Sequence, residues 1–552
     1  MRNINLRYVD ETYDDKGVLR TYKLKYPESF NFGYDVVDDI AVNDPDRVAM
    51  IWCDTKDNEK VFTFKDIKRY SDKTANYFKS IGITKGDMVA VILKRHYQFW
   101  YVSVALHKIG AVMIPITFMI TAHDAEYRIN AASVKAVICT SDGQAAQAVD
   151  EVESICKTLK NKIMVCREQD TLRQGWEDLD ANVEAASEKW EKAETNIYDP
   201  FLMYFSSGTS GYPKMVLHNQ TYALAHLFTA KHWHNVDPNG LHLTIADTGW
   251  GKAVWGKLYG QWLMESAVFV YDYDKFEAGK ILSLIKKYSI TSLCCPPTMF
   301  RFLIKEGLEK YDLSSLKYVT TAGEALNPDV FNSWYEATGL KLMEGFGQTE
   351  TTVAVCNLKG MTPKPGSIGK PSPQYQVELM DNDGNPCPNG VTGEIVIKCD
   401  PHPEGLMDCY YRNEDRTKEA MFNGYYHTGD TAWRDEDGYF WFVGRNDDII
   451  KSSGYRIGPF EIESVLNGNP KVLESAVTGV PDEIRGMVVK ATIVLAKGQQ
   501  PSEELKKELQ DYVKHETAPY KYPRIIEFVS ELPKTINGKI RRQAIREKDT
   551  DK

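Results

Sequence analysis

The segment YFSSGTSGYPKMV, residues 204–216, decides the fold. An apolar strand-like run, FLMYF, feeds straight into Ser206, Ser207, Gly208, Thr209, Ser210 and Gly211, and Lys214 follows. Small residues let backbone N–H groups approach phosphate oxygens, hydroxyls add donors, and a lysine supplies positive charge. A flexible Ser/Gly linker has a similar composition, but here the run leaves an apolar strand directly and ends in Pro-Lys. Pro213 stands where a Walker A loop has its second glycine, so this is a phosphate cradle of another kind.

Outward from that segment, residues 70–141 alternate helical stretches (SDKTANYFKSIG, QFWYVSVALHKIG) with short apolar runs (MVAVILK, AVMIPIT, VKAVICT). That order predicts α/β layers on a largely parallel sheet. Residues 142–199 turn polar, and a second α/β unit is expected from about Asn196. Over residues 366–444 the turn pairs Asp383-Gly384, Asn389-Gly390 and Asp437-Gly438 punctuate short alternating runs, which predicts a small antiparallel β unit. The strands SAVTGVP and VVKATIVLA and the helix SEELKKELQDYVKHE then predict a small α+β domain. The expected division is a large N-terminal domain, 1–446, and a small C-terminal one, 447–552. Internal repeats and low-complexity tracts are absent from the sequence.

A chain of 552 residues exceeds what one hydrophobic core supports. Its net charge of -10 argues against wholesale attraction to nucleic acid or an anionic membrane and leaves room only for a local basic pocket. The apolar run 109–122 falls short of the roughly 20 residues a membrane span needs, and Pro115 interrupts it. The opening MRNINLRYVDETYDDKG has no apolar secretory segment, so a cytoplasmic protein is expected. Ten scattered cysteines, without a C-x-x-C pair or a Cys/His cluster, predict reduced thiols and no structural metal, with Cys294 and Cys295 in the core.

Further motifs follow in order: TAGEAL from Thr321, EGFGQTE from Glu344, YHTGD from Tyr426, VGRNDDIIKSSGYRIGPFEIE from Val443 and LPKTINGKIRR from Leu532. Taken singly, three of them have a plainer reading: Thr349-Glu350 as a helix cap, Asp430 as a turn residue, Lys539 as part of a solvated basic tail. Together with the Ser/Gly segment they resemble the adenylate-forming superfamily of acyl-CoA synthetases, peptide-synthetase adenylation domains and luciferases. The likeness is nearest to the medium-chain acyl-CoA synthetases, in SSGYRIGP and TAPYKYPR. It implies an ATP-dependent acid:CoA ligase that makes an acyl-AMP, releases pyrophosphate and transfers the acyl group to coenzyme A.

The same resemblance implies the roles of individual residues. Residues 206–211 and Lys214 would cradle phosphates. Gly323, Glu324 and Ala325 would line the adenine, Phe346 pack on its ring and Glu344 approach its amine, with Gly345, Gly347 and Gln348 completing the nucleotide loop. Thr349 would meet the α-phosphate, and Glu350 would help hold Mg²⁺, a hard cation suited to oxygen ligands. Asp430 and Arg445 would bind the ribose. Lys539 would bridge the substrate carboxylate and the α-phosphate. The C-terminal domain would be a mobile lid hinged at Asp447. Its rotation would bring Ser453, Gly454 and Tyr455 along the pantetheine arm, Arg456 to the reaction centre, and Arg485 to the CoA phosphates.

The resemblance places the acyl pocket along ADTGWGKAVWGKLYGQW; Trp250, Trp255 and Trp262 all have the spacing of helix core, and of the three Trp250 is the expected pocket wall. Gly347 stands where acetate-restricted family members carry tryptophan, which predicts an open floor and acids of more than two carbons, short branched to medium-chain or aromatic. The partners implied are the acid, ATP and CoA; a homodimer and an acetyltransferase–deacetylase pair acting on Lys539 remain open. So do two other readings, an adenylating enzyme that loads a carrier protein and a nucleotide-binding regulator without catalysis.

Overall fold

The computed structural model describes residues 3–167, 170–206, 213–452, 455–482, 485–534 and 540–550. Ser207, Gly208, Thr209, Ser210, Gly211, Ser453, Gly454 and Lys539 lie outside the described residues.

Two large sheets form the body of the molecule. The first has the strand order Cys409–Tyr410, Lys214–Asn219, Pro200–Ser206, Val112–Pro115, Met88–Ile92, Ala136–Thr140, Asn161–Val165, Glu177–Asp178. Its Met88–Ile92 and Ala136–Thr140 strands are buried along their whole length, as expected of parallel strands covered on both faces. The second runs Lys370–Pro371, Val355–Cys356, Leu342–Phe346, Tyr318–Ala322, Ser292–Cys295, Leu241–Thr244, Ala267–Asp272, Val48–Asp54, Glu59–Thr63.

The expected start of a second α/β unit near Asn196 needs correcting. Pro200–Ser206 lies parallel to Val112–Pro115 in the first sheet, and the second sheet draws on Val48–Asp54 from far upstream. A fully apolar strand carries no periodic mark of the sheet it joins, so its neighbours are chosen by packing.

Local signals hold where they are strong. Thr63 and Asp66 form a reciprocal capping box that starts the helix Phe64–Ser80. The helix Gln98–Ile109 is mostly apolar, is buried throughout, and stops at Gly110 with φ 80. The predicted β unit is an antiparallel sheet of Val377–Met380, Gly393–Lys398, Met421–Phe422, Tyr425–Arg434 and Phe440–Arg445.

The C-terminal residues build a small α+β layer pair around Ile457, Ile462, Leu466, Leu509 and Val513. Ser502 caps the helix Glu503–Glu516 by accepting from Leu505 N. This unit touches the large one through Asn327 Nδ2, which donates to Ser464 O at 2.9 Å. All ten cysteines are free, Cys294 and Cys295 among the buried ones. Among the described residues no helix is long and apolar enough to cross a membrane.

Candidate functional site

The two sheets and the β unit meet at the turn after Leu342–Phe346, residues 347–350. Gln348 ties that turn to the β unit. Its Nε2 donates to Thr428 O at 2.8 Å and to Asp430 Oδ2 at 2.5 Å, and its Oε1 accepts from the Tyr426 hydroxyl at 2.6 Å. Asp430 is buried, and across the strand pair Arg445 Nη1 stands 3.7 Å from its carboxylate. On the opposite side, Tyr410 donates to Glu350 Oε1 at 2.9 Å, while Met407 N binds Glu350 O at 2.8 Å. Lys214 pairs with Ser206 across the hairpin and lies 5.0 Å from the Tyr410 ring centroid. Burial lowers its pKa, with Glu350 opposing the shift. Three other sequence motifs thus gather about this turn, through Tyr426 with Asp430, through Arg445 and through Lys214, and Tyr410 joins them.

Gly323, with φ +97, Glu324 and Ala325 form the turn after Tyr318–Ala322. Thr298 donates to Glu324 Oε2 at 2.7 Å, and Lys252 Nζ to Ala322 O at 2.5 Å. Glu344 is buried beneath this turn, where its carboxylate accepts from Leu326 N at 2.9 Å and burial pushes its pKa up to about 8. A Cβ on Gly345 would lie 2.6 Å from Trp233, and Phe346 sits 6.2 Å from Phe442.

The open floor expected at Gly347 is not what the structure has. A Cβ there would lie 2.4 Å from Thr352 O and 2.5 Å from Trp255 Cη2, so the indole of Trp255 already fills the space. Trp255 and Trp262 are both core, as their spacing predicts, with Trp262 Nε1 donating to Ala49 O at 3.0 Å. Trp250 is half-buried at the head of the helix Gly251–Lys257, and its Nε1 has no partner among the described residues. The room beside Gly251 is bounded by Thr349 and the Tyr204 ring, each 4.0 Å or closer to where a Cβ would stand.

Behind the turn lies a residue the motifs did not single out. His218 Nε2 is 2.9 Å from Thr349 O. Its only signal in the sequence is its place on the strand leaving the Ser/Gly segment, in PKMVLHN.

Other assigned residues lie apart from this turn. Asp447 Oδ1 is 3.6 Å from Arg445 Nε, at the junction of the two units. Arg456 lies on the strand Tyr455–Ile457. Tyr455 is half exposed and stacks on Tyr520 with centroids 4.0 Å apart. Arg485 N donates to Asp482 Oδ1 at 2.8 Å beside the hairpin turn. Among the described residues no three His, Cys, Asp or Glu side chains gather as a metal site.

The models of the AMP-binding enzyme family and of its C-terminal domain match residues 37–411 and 461–539, and the chain belongs to that family. It is 42% identical over 536 residues to human acyl-coenzyme A synthetase ACSM5, mitochondrial, covering 95% of this chain and 92% of the relative. The fold matches the acyl-CoA synthetase of Brucella canis at 31% identity and TM-score 0.72, over 95% of this chain and 94% of that one. It also matches the anthranilate CoA ligase AuaEII, in complex with anthranoyl-AMP, at 26% identity and TM-score 0.86, over 95% and 98% of the two chains. The protein is accordingly an enzyme of the acyl-CoA synthetase class, built on a large N-terminal and a small C-terminal domain.

Proposed function

We propose that the enzyme joins a carboxylic acid to ATP as acyl-AMP, releases pyrophosphate, and passes the acyl group to CoA. The acids we propose are short branched to medium-chain ones, aromatic acids included; the likeness to acyl-coenzyme A synthetases and to an anthranilate CoA ligase supports this range, and space at Gly347, which Trp255 fills, does not. The observation that carries this reading is that the turn 347–350 is tied through Gln348 to Asp430 and through Glu350 to Tyr410, whose ring lies beside Lys214.

Attack of a carboxylate on the α-phosphorus brings two anions together, so neutralising and orienting charge dominates the barrier. In our reading Thr349 meets the α-phosphate, the Ser/Gly segment with Lys214 holds the outer phosphates, and Asp430 with Arg445 holds the ribose. Glu350 fits a Mg²⁺ that arrives with the phosphates, since such an ion uses one or two carboxylates and takes its remaining ligands from phosphate and water. Lys539 would reach the reacting carboxylate and α-phosphate from the lid. Rotation near Asp447 would then exchange it for Ser453, Gly454 and Tyr455, with Arg456 and Arg485 serving the CoA half-reaction.

We further propose a cytoplasmic enzyme, although the human relative is named as mitochondrial. A homodimer and reversible acylation of Lys539 complete the proposal. Fractionation, sedimentation and mass spectrometry respectively test these. The central test is pyrophosphate release over acids from acetate to decanoate with branched and aromatic members, with acyl-CoA identified by mass. Acid-dependent release that acetate does not lead is the expected result. No release with any acid, or acetate as best substrate by kcat/KM, overturns the reading.

A further inference from the structure

The turn that carries Thr349 is braced by a buried aromatic chain. His218 and Tyr222 are both fully buried and stack with ring centroids 3.9 Å apart and 28° between their planes. The Tyr222 hydroxyl accepts from Trp255 Nε1 at 3.2 Å, and Trp255 in turn packs against Gly347. The chain therefore touches residues 347–349 at both ends: Trp255 at Gly347, and His218 at Thr349 O.

The tautomer follows from the partner. A carbonyl oxygen only accepts, so His218 Nε2 bears the hydrogen, and Nδ1 is an acceptor with no partner among the described residues. Burial holds the imidazole pKa down to about 3, so the ring is neutral at working pH. Of the potential roles of a histidine beside a phosphate-activating turn, proton exchange is thereby disfavoured. A fixed N–H donor remains.

We infer that His218 is a positioning residue for acid activation: its Nε2–H holds the carbonyl of residue 349, and through it the Thr349 side chain, against the α-phosphate. The inference rests on the proposed assignment of Thr349. A donor held in place by stacking does not have to reorganise as charge develops, and a displacement of about 1 Å at a reacting centre costs on the order of a hundredfold in rate.

The test uses side chains of matched reach. In His218→Gln the amide nitrogen lies about where Nε2 was; in His218→Asn it reaches only to about Nδ1. His218→Asn is expected to lower kcat for pyrophosphate release about ten- to hundredfold with the KM for the acid within about twofold, and His218→Gln to recover most of that loss. The pH–rate profile should keep its limbs in both. Tyr222→Phe, which keeps the stack and removes the acceptor for Trp255, should cost severalfold, and its effect should not multiply with that of His218→Asn. Circular dichroism and melting temperature check folding, and Tyr222→Phe carries the test if His218→Asn does not fold. Equal loss in the Gln and Asn variants, disappearance of a limb of the pH profile, or wild-type rates in Tyr222→Phe would each overturn the inference. Thr349→Val separates the two claims: normal release in that variant beside a slow His218→Asn removes the hydroxyl from the α-phosphate while leaving the carbonyl brace standing.

Discussion

Gly347→Ala should damage the enzyme for every acid alike, and Gly347→Trp should not convert it to an acetate enzyme. The added Cβ would stand 2.4 Å from Thr352 O and 2.5 Å from Trp255 Cη2, about 1 Å inside ordinary contact. Thr352 O cannot simply swing aside, because it also accepts from Thr351 Oγ1 at 2.8 Å. Overpacking of this kind costs about 1–3 kcal/mol. The strain falls on the turn that carries Gln348, Thr349 and Glu350, where a shift of about 1 Å costs on the order of a hundredfold. Trp255→Leu is the complementary change, since it removes the group that fills the space. With each methylene worth about 1–3 kcal/mol in an apolar pocket, hexanoate and octanoate should gain about tenfold or more relative to propionate. The assay is kcat/KM by pyrophosphate release along the series from acetate to decanoate, with melting temperature as a control. A Gly347→Trp enzyme that is active and prefers acetate would refute the argument, because the indole would then have found room that Trp255 is said to occupy.

Lys539→Ala should lose acyl-AMP formation by two to three orders of magnitude, a charged donor in a dry site being worth about 3–4 kcal/mol, yet still turn supplied acyl-AMP and CoA into thioester at nearly the wild-type rate. Equal loss in both steps would end the two-conformation mechanism. Asp447→Pro should show the reverse pattern, adenylation kept and thioester formation slowed, because fixing φ hinders rotation of the small domain; normal rates in both steps would move the hinge elsewhere. Glu344 gives a pH test. Its folded pKa of about 8 lies above the ordinary glutamate value of 4.5, so between those values the folded state holds more protons than the unfolded one, and stability falls as pH rises. Glu344→Gln should remove a decline worth on the order of a few kcal/mol, seen as a melting temperature that changes less from pH 5.5 to 8 than in wild type; parallel curves would mean the carboxyl is not held neutral.

Much of the candidate site was legible in the order of its motifs, because the chemistry proposed for it, at phosphate, ribose and metal, demands particular residue types at close spacing. The Ser/Gly run with Lys214, the Gln348-Thr349-Glu350 turn and Asp430 needed no coordinates to be singled out. What the sequence could not order was partnership between distant segments. Pro200–Ser206 joins the first sheet through Val112–Pro115, a choice made by burial on both faces that no short window encodes.

The glycine at 347 makes the same point at atomic scale. A residue without a side chain implies space only if nothing else moves in, and whether Trp255 does so depends on how the helix Gly251–Lys257 packs. His218 was invisible for a related reason: a lone buried histidine becomes meaningful only once Thr349 O is found 2.9 Å away across 131 residues of chain. Residue types and their order determined the chemistry available to this protein. Tertiary packing alone decided which of those groups face one another, because contact free energies depend on neighbours that the chain brings together only when it folds.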